Sequence, residues 1–164
     1  MDKAKPVRVC FVCLGNICRS PTAEGVMLAL LEAENLSPHF VIDSAGTSAQ
    51  HSGERPDKRS LAAAQARNIQ LPSGARRFER NDFARFDYVL AMDRHNYADL
   101  VRLAPDQAAR DKVHMFLTFA GDPNGPSDVP DPYYGGGEGF EHVLDLCDGA
   151  CRGFIAHVRA AHRI

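Results

Sequence analysis

The chain has 164 residues, 45% of them hydrophobic and 24% charged, a composition that fits one soluble domain spanning 1–164. Its formal net charge of -2 excludes a global pull toward nucleic acid or an anionic membrane, so any anion site must be built locally. Five cysteines are an odd number and make no secreted disulfide framework at this length, which points to a reducing cytoplasm and free thiols.

The first apolar run, from Val7 to Leu14, is interrupted by Arg8. It is too short to span a membrane and has no small-residue cleavage signature, so neither an anchor nor a signal peptide is expected. Val7 to Val12 instead reads as a buried β-strand. A glycine-containing loop follows. Ser20-Pro21 then resembles a helix start, with a polar cap, proline at the first helical position and Glu24 in the first turn.

His39 to Asp43 is a second strand, and Asp57 to Asn68 an Ala-rich helix. Tyr88 to Met92 is a third strand, Asn96 to Leu103 a helix, and Val113 to Leu117 a fourth strand. From Gly121 to Gly139 the density of Pro, Gly and Asp signals a long loop. The last segment, with Phe140, Val143, Leu144, Cys147, Ala150, Cys151, Phe154, Ile155 and Val158 on one face, is the clearest helix. Strands alternating with helices give an α/β class, a parallel sheet with helices on both faces. Ligands of such sheets sit beyond the carboxyl ends of the strands, where strand order reverses.

The loop after the first strand holds the most unusual residues. Cys13 and Arg19 enclose Leu14, Gly15, Asn16, Ile17 and Cys18, a span that lets backbone amides converge as a phosphate-binding nest, continued by a helix N-terminus. Gly15 and Asn16 tolerate backbone conformations that other residues resist. Arg19 adds a planar fork for two phosphate oxygens. These dipoles and the guanidinium favour thiolate over thiol at Cys13, and the Ser20 hydroxyl is placed to donate to it. A thiolate beneath phosphorus is set for in-line attack and a phosphocysteine intermediate. The loop itself neutralises the transferring group, so no metal and no cofactor is expected.

Cleaving a phosphate ester also requires a proton for the leaving oxygen. In Val129-Pro130-Asp131-Pro132-Tyr133-Tyr134 the two prolines restrict the backbone around Asp131, the best candidate for general acid and then base. Asp128 and Asp122 compete with it on spacing alone. Tyr133 or Tyr134 would wall the substrate ring.

With these segments in view, the chain resembles the low-molecular-weight protein tyrosine phosphatase family. Val12 to Pro21 matches its signature, and Asp131-Pro132-Tyr133-Tyr134 its general-acid motif. Asp43-Ser44-Ala45-Gly46 and Ala91-Met92-Asp93 match recurrent segments. The resemblance implies a four-stranded parallel sheet with the phosphate loop after the first strand. It implies metal-free hydrolysis of phosphotyrosine by Cys13, Arg19 and Asp131, and a phosphotyrosine-containing protein as partner, a tyrosine kinase included. It further implies loop-shaping roles for Asn16, Ser20 and Ser44, a role for Asp93 in holding Arg19, and reversible pairing of Cys18 with Cys13.

Two departures stand out. Many members carry a His near the segment Leu71 to Arg76, where this chain offers Ser73; and after Gly46, where an aromatic often flanks the substrate, the only ring is His51. Arsenate reduction through a cysteine relay is disfavoured, because no cysteine lies between Cys18 and Cys147. Phosphoarginine phosphatases resemble this loop with Thr in place of Ile17, and a silent binding module would lack Cys13 or the acid. Cys10 and Cys13 would face opposite sides of the strand with Cα atoms about 10 Å apart, too far for a disulfide or a shared metal.

Overall fold

A computed structural model gives the structure and describes residues 5–164; the side chain of Tyr134 lies outside that description. The chain follows the order β1 (Val7–Cys13), α1 (Arg19–Ala33), β2 (Phe40–Gly46), α2 (Lys58–Gln65), β3 (Tyr88–Ala91), α3 (Arg94–Leu103), α4 (Gln107–Arg110), β4 (Val113–Met115) and α5 (Glu138–His162). The four strands are all parallel, in the order β2-β1-β3-β4. Strand order reverses at β1, so the loop leaving β1 sits where the two directions of winding separate and a crevice opens.

Side-chain alternation along β1 divides the core. Val9, Phe11 and Cys13 face a layer that includes Met27 and Leu31 of α1 and Val143, Leu144 and Phe154 of α5. Cys10 and Val12 face the other, with Phe78, Phe83, Val89, Leu100 and Val113. Cys10 and Cys13 therefore belong to different layers, and all five cysteines are free and buried. The apolar stripe of α5 is buried as its periodicity indicates, from Phe140 to Val158. Its Gly153 lies against a 3-10 turn at Phe116–Ala120, where a Cβ would stand 1.7 Å from the Phe119 carbonyl oxygen.

Several boundaries differ from the sequence expectation, and three of them have a clear physical reason. The first helix begins at Arg19 with Cys18 as its N-cap, and no side chain caps it. Ser20 and Glu24 are turned inward, Ser20 at 0% and Glu24 at 2% exposure, because each has a buried polar partner that competes with a capping role. The fourth strand stops at Met115, since Phe116 and Leu117 are drawn into the 3-10 turn under α5. The second helix is shorter than its Ala-rich composition indicates, starting after Asp57, whose carboxylate accepts from the Arg59 amide. No helix among the described residues is long and apolar enough to cross a membrane.

Candidate active site

Cys13 ends the central strand, paired in register with Gly46 of β2. Gly46 is required there: a Cβ would stand 2.7 Å from the Leu14 carbonyl oxygen. The close approach lets Thr47 donate its amide to the Cys13 carbonyl at 2.9 Å and Ser48 to that of Leu14 at 3.0 Å. The phosphate loop is thereby fixed to the start of the segment that follows β2.

Within the loop, Asn16 adopts a left-handed backbone with φ 56°. Asparagine bears that conformation at less cost than most residues, and here its side chain is fully engaged. The Arg76 amide donates to Asn16 Oδ1 at 3.1 Å, which fixes the orientation of the amide group. Asn16 Nδ2 then donates to Ser20 Oγ at 2.7 Å and to Ser44 Oγ at 3.1 Å. With its oxygen accepting from Asn16, Ser20 has one hydrogen to give, and its acceptors are Cys13 Sγ at 3.0 Å and the Ala45 carbonyl at 3.3 Å. The Asn16 amide N–H also points at that sulfur, at 3.2 Å. When Ser20 turns its hydrogen to the sulfur, two donors converge on Cys13 Sγ, an arrangement that favours sulfur carrying negative charge.

Behind Ser44 lies a group the sequence reading had assigned only to the helix start. Glu24 accepts from Ser44 Oγ at 2.7 Å and from Ser73 Oγ at 2.6 Å. Burial pushes its carboxyl above the ordinary glutamate value, against the opposing pull of those two hydroxyls. Ser73 thus occupies the position where the family pattern had called for His, and the buttress becomes hydroxyl–carboxyl–hydroxyl. Its signal in the sequence was Glu24 falling four residues after Ser20, on the same helix face.

Arg19 is buried, at 4% exposure, and donates to Asp93 at 2.6 Å and to the Val129 carbonyl at 3.2 Å. Burial works against the cation, but the Cys13 sulfur and Asp93 outweigh it and hold the Arg19 pKa above the usual value. Asp131 reaches within 3.8 Å of the other Arg19 nitrogen and keeps a third of its side chain exposed. The rival carboxylates are engaged elsewhere, Asp128 with Arg94 and Asp122 with the Asn124 amide.

These groups open into a cleft of about 140 Å³ lined by Cys13, Leu14, Gly15, Ile17, Cys18, Arg19, Gln50, His51, Asp131 and Tyr133. Gln50 was not singled out by sequence. Asn16 and Ser20 lie behind the lining; Ser44 supports Asn16, and Asp93 supports Arg19. His51 and Tyr133 both line the cleft, their ring centroids 6.5 Å apart and their planes tilted by 45°, and Glu54 anchors His51 through Nδ1 at 2.7 Å. The Cys18 thiol faces the same space but is pushed up to about 12 by burial. No cluster of His, Cys, Asp or Glu among the described residues is arranged to hold a metal.

The family model for low molecular weight phosphotyrosine protein phosphatase matches residues 8–163. The chain belongs to the low molecular weight phosphotyrosine protein phosphatases, cysteine-dependent hydrolases. It is 44% identical over 155 residues to the low molecular weight protein-tyrosine-phosphatase of Streptomyces coelicolor, covering 93% of both chains. A protein tyrosine phosphatase from Entamoeba histolytica superposes with a TM-score of 0.91 at 38% identity, over 95% of this chain and 99% of the other. The same fold is found in a Drosophila arginine phosphatase, with a TM-score of 0.86 at 28% identity over 92% and 97%. The four parallel strands and flanking helices of this phosphatase are those of its structural relatives.

Proposed function

We propose that this phosphatase hydrolyses phosphotyrosine in proteins through a phosphocysteine on Cys13. The observation that carries the reading is the convergence of Asn16 N–H and Ser20 Oγ on Cys13 Sγ, with Arg19 and Asp131 on the same cleft. The loop amides from Leu14 to Ser20 and the Arg19 fork hold the phosphate oxygens. The Cys13 thiolate attacks phosphorus as the bond to the aryl oxygen breaks, and Asp131, protonated, gives its proton to that oxygen. Tyrosine leaves and phosphocysteine remains. Asp131, now a carboxylate, takes a proton from water as its oxygen attacks phosphorus; the P–S bond breaks, releasing inorganic phosphate and the Cys13 thiolate. Ser20 stabilises that thiolate as it leaves.

His51 and Tyr133 offer aromatic surface beside which a flat aryl ring can pack, and Ile17 in the lining is bulkier and less polar than the Thr expected of phosphoarginine enzymes. A single domain over 1–164, a phosphotyrosyl protein partner and a cytoplasm that keeps all five cysteines as thiols belong to the same proposal. Hydrolysis of an aryl phosphate and a phosphotyrosine peptide in excess chelator tests it, with phosphoarginine as the competing substrate. Activity should vanish in Cys13→Ser and fall about 10²- to 10⁴-fold in Asp131→Ala. A Cys13→Ser variant that keeps its rate, or a preference for phosphoarginine, would overturn the assignment.

A further inference from the structure

The acid and the nucleophile sit on different parts of the chain, and Asp131 has little local anchoring. Its carboxylate accepts from the Tyr133 amide at 3.0 Å, within a short 3-10 turn at Pro132–Tyr134. The turn itself must be held against the phosphate loop, and one side chain outside the cleft lining is built to do so. Arg59, the second residue of α2, places its guanidinium 5.3 Å from the centre of the Tyr133 ring and 4.7 Å from that of Phe140 at the start of α5. The same guanidinium is locked edge-on by Asp57, with Nε at 3.1 Å and Nη2 at 3.0 Å from the two carboxylate oxygens. Asp57 in turn donates its backbone amide to the Ile17 carbonyl of the phosphate loop at 2.8 Å.

We propose that Arg59 is a positioning residue that ties the Asp131 turn to the phosphate loop through Asp57 and the Tyr133 ring. The inference rests on the reading of Asp131 as general acid. A planar cation can bond a carboxylate along its edge while stacking on aromatic faces, a combination that lysine does not reproduce. The Arg59 bond also holds the Asp57 carboxyl below the ordinary aspartate range. Without Arg59 the Tyr133 ring loses one face of its support, and the acid moves relative to the leaving oxygen.

The test is kcat/KM on two aryl phosphates, phenyl phosphate with a poor leaving group and 4-nitrophenyl phosphate with a good one, since only the former depends strongly on protonation. Asp131→Ala should lose far more on phenyl phosphate than on the nitrophenyl ester. Arg59→Ala should reproduce that pattern at smaller scale, about tenfold on phenyl phosphate and less than about threefold on the other. Adding Arg59→Ala to Asp131→Ala should cost nothing further. Arg59→Lys, which keeps the charge and serves if the alanine variant unfolds, should fall between wild type and Arg59→Ala. Equal losses on both esters, or an Arg59→Ala loss that persists in the Asp131→Ala background, would overturn the proposal. An Asp131→Ala variant with no dependence on leaving group would instead bring down the acid assignment, and the role of Arg59 with it.

Discussion

Replacing Ser73 by alanine removes one of the two hydroxyls that hold the buried Glu24 carboxyl, leaving Ser44 as the other. Folding favours the protonated form of Glu24, because its folded pKa lies above the ordinary value of 4.5. The stability it contributes is therefore full below that value and is lost as pH rises through the folded pKa. Taking away Ser73 raises the folded pKa further, so the loss on going to higher pH becomes larger. A hydrogen bond to an ionised group contributes about 1.5–3 kcal/mol, and one between neutral groups about 0.5–1.5 kcal/mol. Ser73→Ala should thus cost about 2 kcal/mol at about pH 8 and about 1 kcal/mol near pH 4. With a urea slope of about 2 kcal/mol/M, the unfolding midpoint should drop by about 1 M at the higher pH and about 0.5 M at the lower. Urea titrations of both proteins at the two pH values, with slopes compared, measure this. A deficit that is the same at both, or larger in acid, would refute the reasoning that Ser73 stabilises an ionisable buttress.

Gly153→Ala should destabilise the fold although it improves the helix, because the new Cβ would stand 1.7 Å from a backbone oxygen that cannot turn aside. Overpacking of this kind should outweigh the roughly 1 kcal/mol gained in propensity and lower the melting temperature by about 5 °C, and an unchanged or raised midpoint would argue against the contact. At neutral pH a small alkylating reagent should modify Cys13 and leave Cys18 intact, since a thiol pushed up to about 12 is almost wholly protonated there. Peptide mapping by mass spectrometry checks this, and labelling of Cys18 at the rate of Cys13 would contradict it.

What the sequence made legible is what depends on local pattern. Val7 to Val12, the stripe of α5 and the Cys13 to Ser20 loop each announce themselves through periodicity or through residue types gathered at a strand–helix junction. Asp131 was favoured by its two prolines, and the family motif removed the ambiguity with Asp128 and Asp122. The parts that escaped are those made by tertiary contact. Ser20 read both as a donor to Cys13 and, from Ser-Pro, as a helix cap; the cap is the part that failed, because Asn16 and Cys13 beside it turn the hydroxyl inward. Glu24 read as a first-turn acid, and its partners Ser44 and Ser73 lie 20 and 49 residues away in sequence. Arg59 carries no motif at all. Its meaning comes from two rings on later elements, which no spacing within α2 could indicate.

The way β1 is held has a consequence for how this enzyme can change. Cys13 closes a strand with neighbours on both sides, and its loop is sewn to β2 and to the segment after it by backbone hydrogen bonds that owe nothing to side-chain identity beyond glycine at position 46. Asp131, the proposed acid, by contrast hangs on a short turn secured from outside by side chains. On the proposed mechanism, substitutions around Asp131 alter proton delivery and the shape of the entrance while leaving the frame of Cys13 standing. Those around Gly46 or Asn16 damage frame and chemistry together. New substrate preferences in such an enzyme have to be written on the acid-bearing rim, with the floor carried over unchanged.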